Sequence, residues 1–372
     1  MNLIFPLLFL FVFAMMLFYS KKRVIDKAVF SSKFKKISYF ILAFIYLFVI
    51  LYFIDRYFAF LPKEIFYLAS LASGIGFLIF VFTLFFELYL LYVRIFKPSI
   101  KQKNIIEFLL FTFMIFYISF GVINGQIDPK ITNHIIKTDK PLEKDINIIF
   151  FSDLHIGGLV DQKYVKNIVN LINSQNPDIV LIGGDLIDTK IEHITKELEL
   201  LKEISSIYGT YFIVGNHEYF HDLQHIISSS ESLGLKTLLN ETIKIADLDI
   251  QLSGLYDYMG KRSAINAPDL KALDIDKNLF SILISHQPKV INDEDFIAEE
   301  FDLILSGHTH CGQICPFGLL VLIDQPYRCG EYHLGKNLNL IISAGAGFWG
   351  PKMRIGSSYE IHKITISPNK MY

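Results

Sequence analysis

Four long apolar runs, at residues 2–20, 37–54, 65–93 and 105–123, constrain the fold of this chain more than any other feature. A helix of about 20 mostly apolar residues crosses the hydrocarbon core of a bilayer, so each run has the length of a span. With 52% hydrophobic residues, the 372-residue chain is too apolar for one ordinary soluble domain. The excess lies before Asn124, and the stretch after Gln126 has the mixed composition of a soluble α/β domain. We expect a membrane domain over 1–124 with about four transmembrane helices, a connector over 125–146 and a soluble domain over 147–372. That last part is long enough to bury a core without staples.

A cleavable signal peptide has a basic start and a short apolar core. Here Lys21, Lys22 and Arg23 follow the first run and another run comes after them, so the first run reads as an uncleaved helix. The loop after it carries seven basic residues, from Lys21 to Lys36, and the loop after the third run carries Arg94, Lys97, Lys101 and Lys103. Basic loops stay in the cytoplasm. With four spans the soluble domain then lies outside the cytoplasm, on an integral membrane protein of the inner membrane if the cell is bacterial. Splitting the long third run would reverse that orientation. Glu87 and Glu107 fall inside the third and fourth runs, where an unpaired carboxylate is costly. They mark either an intramembrane site or carboxyl groups neutralised near an interface, and the second is the simpler expectation.

The formal net charge of -2 makes no case for nucleic acid as a partner, and no concentrated basic face is visible in the sequence, so none is expected. The 3 cysteines, Cys311, Cys315 and Cys329, lie in one late region; one disulfide can form, and the sequence does not say which.

From residue 147 the chain alternates buried strands with amphipathic helices. Apolar runs at 147–151, 179–182 and 211–214 read as strands, and Tyr164, Val165, Ile168, Val169 and Ile172 recur at helical spacing between the first two. Later strands are expected at 236–239, 243–246, 250–253, 281–285, 303–306, 340–343 and 361–366. This is α/β architecture. Ligand sites in such folds gather beyond the carboxyl ends of strands. Polar residues fall there five times: Asp153 and His155; Gly184, Asp185 and Asp188; Gly215, Asn216, His217 and Glu218; His286; and Gly307, His308 and His310. Singly each suits a turn. Together, carboxylate, imidazole and amide oxygens form a donor set for divalent metals of intermediate softness.

The five blocks, Asp-x-His, Gly-Asp-x-x-Asp, Gly-Asn-His-Glu, a lone His and Gly-His-x-His, resemble in content and order the signature of the calcineurin-like metallophosphoesterases. The membrane-anchored layout is similar to transmembrane proteins with such a domain. The resemblance implies a four-layer αββα sandwich following an α-helical transmembrane bundle. It also implies two divalent ions, Mn, Zn or Fe: one held by Asp153, His155, Asp185 and His310, the other by Asp185, Asn216, His286 and His308. Asp185 would bridge them. Two cations about 3.5–4 Å apart hold a hydroxide between them that attacks phosphorus in line. By the same resemblance His217 faces the leaving group and Glu218 orients it. Asp188 reads as structural, an N-cap before Thr189.

One departure is Cys311 where related sequences have glycine; a small buried residue is the expected role, and an extra ligand or an oxidation site the alternative. Trp349 and Arg354, in the glycine-rich stretch 345–356, are candidates for the substrate mouth. The function expected is hydrolysis of phosphodiester or pyrophosphate bonds on a phosphorylated, lipid-linked substrate. The alternatives are a non-catalytic metal-binding membrane scaffold and, were the domain cytoplasmic, a pyrophosphohydrolase of nucleotide-linked lipids of the UDP-diacylglucosamine type.

Overall fold

A computed structural model of the chain describes residues 4–29, 31–335 and 337–369. Residues 2–3 of the first apolar run and 370–372 of the soluble domain lie outside these. The described chain divides into two compact units: residues 4–127 with Gly350–Ile355, and residues 128–349 with 356–369.

The first unit contains α1 (Ile4–Ser20), α2 (Ser32–Phe58), α3 (Lys63–Phe96) and α4 (Ile100–Asn124). Among the described residues, α2, α3 and α4 are long and apolar enough to cross a membrane, and α1 is shorter at 17 residues. The third apolar run is one unbroken helix of 34 residues. Ser99 caps α4 by accepting the Gln102 N–H at 3.3 Å, while the Gln102 side chain accepts the Ser99 N–H at 2.8 Å, so two donors without helical partners are satisfied reciprocally. Both carboxylates of the apolar runs, Glu87 and Glu107, have partners. Glu87 accepts from the Arg23 guanidinium at 2.6 Å and the Tyr19 hydroxyl at 2.9 Å; Glu107 accepts from the Tyr89 hydroxyl at 3.0 Å and the Val29 N–H at 2.8 Å. Glu87 is thus paired with a cation, and Glu107 is hydrogen-bonded by neutral donors.

The second unit is built on two six-stranded sheets. In chain order the strands are β1 (Lys130–Thr138), β2 (Ile146–Phe151), β3 (Ile179–Ile182), β4 (Thr210–Phe212), β5 (Leu235–Thr237), β6 (Glu241–Ile245), β7 (Ile250–Gly254), β8 (Phe280–Ile284), β9 (Leu303–Ser306), β10 (Gly330–Leu334), β11 (Leu338–Ile342) and β12 (Glu360–Pro368). One sheet runs β1-β12-β2-β3-β4-β5 and the other β10-β11-β9-β8-β7-β6. Ile148, Phe150, Leu181, Ile282, Leu305 and Ile341 belong to a single buried apolar cluster drawn from both sheets, which places the main core between them. Strands covered on both faces read as unbroken apolar runs, as β3 (Ile-Val-Leu-Ile) does. Helix α5 (Gln162–Asn173) starts at the Asp161 side chain, which accepts the Tyr164 N–H, and buries the expected stripe Tyr164, Val165, Ile168, Val169 and Ile172.

Two strands were not foreseen. β1 lies in the stretch read as a connector and pairs in parallel with β12; β10 pairs antiparallel with β11. Both are edge strands. There a polar chain spans the sheets: His134 of β1 meets the Glu331 carboxylate of β10 at 2.7 Å through Nδ1 and His362 of β12 at 2.9 Å through Nε2.

Candidate metal centre

Every block singled out from the sequence sits just beyond the carboxyl end of a strand: 153–155 after β2, 184–188 after β3, 215–218 after β4, His286 after β8 and 307–310 after β9. The turns there are unusually tight. Asp153, His155, Asp185, His308 and His310 all have positive φ, between 46° and 69°, a region that non-glycine residues seldom occupy. Such strain persists where the surrounding fold enforces it and clusters at functional sites. Gly184 has φ of 89°, and a Cβ there would fall 2.7 Å from His286 Nδ1 and 2.8 Å from the Gly215 N atom. No larger residue fits between those turns.

The turns gather ligand atoms into overlapping groups. Asp153, His155 and His310 form one, Asp185, His286 and His308 a second, and His155, Asp185 and His217 a third that joins them; each group has its atoms within 4.8 Å of one another. Asp185 stands between them. Its Oδ2 lies 3.3 Å from His286 Nε2, 3.8 Å from His155 Nε2 and 3.9 Å from His217 Nε2, and the two rings on the other side, His155 and His310, meet through their Nε2 atoms at 3.0 Å. The carboxylates are themselves held. Asp153 accepts the His308 N–H at 3.0 Å and the Ser152 hydroxyl, and Asp185 Oδ1 accepts the His217 N–H at 2.8 Å.

The buried acids and imidazoles shift one another's protonation. Asp153 and Asp185 are almost fully buried. Burial pushes Asp153 up to about 6, with the Asp185 charge adding to the rise against the pull of His286. Burial would raise Asp185 as well, but His286, His217 and His155 hold it well below the ordinary carboxylate range. His286 is the counterpart: burial opposes its charge, yet Asp185, Asp153 and Asp257 hold it well above the usual imidazole value.

Two further features fit the metal that the donor set implies. The His286 Nδ1–H donates to the Gly183 carbonyl at 2.7 Å, which fixes the tautomer and leaves Nε2 as the ligand atom, the arrangement usual for metal-binding histidines. Asn216 Oδ1 is buried with no hydrogen-bond partner. An amide oxygen in that state is costly unless something positive meets it.

One expectation is corrected. The carboxylate on the His217 ring is Asp188, at 2.6 Å from Nδ1, not Glu218. Glu218 is fully buried and accepts three backbone N–H groups: Gly215 at 2.7 Å, Ile187 at 3.0 Å and Asp185 at 3.1 Å. It braces the turns that carry Asp185 and His217, and burial pushes it up to about 7, with the Asp185 charge adding to the rise. Asp188 was read as an N-cap because its distance from His217 depends on how those turns pack, which spacing does not reveal.

Cys311, placed next to His310, is in a disulfide with Cys329, so it is not a free thiol available as a ligand. Trp349 packs edge-on to His217 with ring centroids 6.0 Å apart, and Phe220 does the same at 5.3 Å. Arg354, its companion as a mouth candidate, belongs instead to the helical unit, where it is fully buried and its N–H donates to the Gly121 carbonyl.

The chain is similar to several known proteins. A family model described as calcineurin-like phosphoesterase matches residues 146–312. The chain is 37% identical over 314 residues to a Helicobacter pylori protein described as an uncharacterized metallophosphoesterase, covering 83% of this chain and 84% of that one. It is 32% identical over 375 residues to another so described, from Campylobacter jejuni, covering 99% of each. It is 29% identical over 262 residues to a transmembrane protein with metallophosphoesterase domain from Danio rerio, covering 66% of this chain and 59% of that one.

Proposed function

Because the chain belongs to the calcineurin-like metallophosphoesterases, we propose that it uses two divalent ions to hydrolyse phosphodiester or pyrophosphate bonds of a lipid-linked substrate at a membrane surface. The position of Asp185 carries this reading, because one buried carboxylate lies within 4 Å of imidazoles from both ligand groups. Asp153, His155, Asp185 and His310 would hold one ion, and Asp185, Asn216, His286 and His308 the other. Mn, Zn or Fe suits such oxygen and imidazole donors. When bound, a pair of such ions supplies an activated water and neutralises charge on the phosphoryl oxygens.

The chain's own groups do the rest. His217 is the general acid or hydrogen-bond donor to the leaving oxygen, acting through Nε2. Asp188 accepts its Nδ1 proton and so favours the charged ring that can donate from the other nitrogen. Glu218 acts through others, by positioning the Asp185 and His217 turns. Trp349 and Phe220, both partly exposed, line His217 with aromatic surface, which supports a substrate with an apolar portion.

We place the hydrolase domain outside the cytoplasm. The basic loops between the apolar runs support this, and so does the Cys311–Cys329 bond, since disulfides persist in oxidising compartments. A reporter fused to the C-terminus tests it. A cytoplasmic signal would reject the placement and turn attention to nucleotide-linked lipid precursors.

The enzymatic reading is tested by hydrolysis of bis-p-nitrophenyl phosphate by the full chain in detergent, with and without Mn. We expect turnover that requires the metal. Equal, negligible rates in both would favour a metal-binding scaffold.

A further inference from the structure

The Cys311–Cys329 disulfide closes a loop whose middle turns apolar side chains outward. Phe317, Leu319, Leu320, Leu322 and Ile323 are 41, 66, 51, 47 and 81% exposed, around the short helix Gly318–Val321. Scattered exposed apolar residues are ordinary, whereas five large ones within a seven-residue stretch form an interaction surface.

The inner side of the loop is fixed. Gln325 is buried, donates to Gln287 Oε1 at 3.0 Å and accepts the Lys289 N–H at 3.1 Å; the Thr309 hydroxyl donates to the Arg328 carbonyl; Ile314 is buried. The outward face is therefore a consequence of how the loop is pinned.

We infer that residues 317–323 form a membrane-insertion element, whose side chains enter the interfacial layer of a lipid bilayer. Two observations favour lipid over protein as the occupant. First, the same chain carries three helices of membrane-crossing length. At the start of the loop Gln313 donates to the Trp349 carbonyl at 3.0 Å and accepts the Trp349 N–H at 3.2 Å, so this end of the loop is pinned as well. Second, its charge is suited to insertion. Asp324 is the one carboxylate in residues 317–328, and it pairs with Lys289 at 3.0 Å, so apolar side chains can enter lipid without taking an unpaired acid with them.

The test uses the full chain in nanodiscs and does not depend on catalysis. Trp349 is the sole tryptophan, so a Trp349→Phe background allows single reporters at Ile323→Trp and, as a second variant, Leu319→Trp. Ile207→Trp is the control, since Ile207 is 72% exposed outside the loop. With lipids brominated in their acyl chains, the reporters at 323 and 319 should lose about half or more of their emission while the control loses little. Unquenched, water-like emission at both loop positions would overturn the inference. So would blue-shifted but unquenched emission, which would mean that protein covers the patch.

Discussion

Each unit of this molecule buries acids, and handles them in opposite ways. In the helical unit Glu107 is nearly inaccessible, yet a tyrosine hydroxyl and a backbone N–H satisfy it, and Glu87 is held by an arginine and another tyrosine. In the hydrolase unit Asp153 and Asp185 are also buried, but their surroundings are imidazoles able to serve both as counter-ions and as metal ligands. Beside them stands an amide oxygen with no hydrogen-bond partner. Carboxylates spread singly along helices are met by single donors, whereas ligand atoms gathered within 4.8 Å of one another form a set that could hold a cation.

Breaking the shared ligand should have the largest effect. Asp185→Asn should abolish metal-dependent hydrolysis and lower bound metal, read by elemental analysis of the purified chain. Next, His217→Asn should slow kcat by about 10²- to 10⁴-fold with metal content unchanged, as expected of a general acid that is not a ligand. Loss of metal together with activity would instead make His217 a ligand.

Asp188 and Glu218 sharpen the comparison. Asp188→Asn should cost about ten- to a hundredfold in kcat with little change in thermal stability. Glu218→Ala should show mainly as instability. It strands three buried backbone N–H groups, each worth about 1–3 kcal/mol, so a lowered Tm is the expected readout. Were Glu218→Ala as stable as the parent but inactive, the assignment of these two acids would have to be exchanged. Smallest of all, Glu107→Gln should leave hydrolysis within about twofold and cost about 1 kcal/mol through a weakened hydrogen bond.

The candidate ligands were legible in the sequence because each lies just after a short apolar strand, and because the five blocks in order resemble a known family signature. Asp188 was not, since its partner lies 29 positions away and only the packing of two turns brings them to 2.6 Å. β1 and β10 escaped notice for a different reason. Edge strands alternate polar with apolar residues and expose one side, so Lys130–Thr138 looks like a linker and Gly330–Leu334 like a loop. The disulfide was one of three possible pairings among three cysteines, a choice that depends on the path of the chain between them. The exposed run at 317–323 is too short for periodicity to show whether its side chains face in or out.

The central claim is that the clustered acids, imidazoles and amide of the hydrolase unit form a two-ion centre, and elemental analysis of the full chain after gentle purification tests it most directly. We predict about two divalent ions per chain, removed by chelation together with hydrolysis and restored together by Mn. A chain that retains no metal, takes none up on titration and hydrolyses phosphodiesters equally in chelator and in Mn would contradict the account.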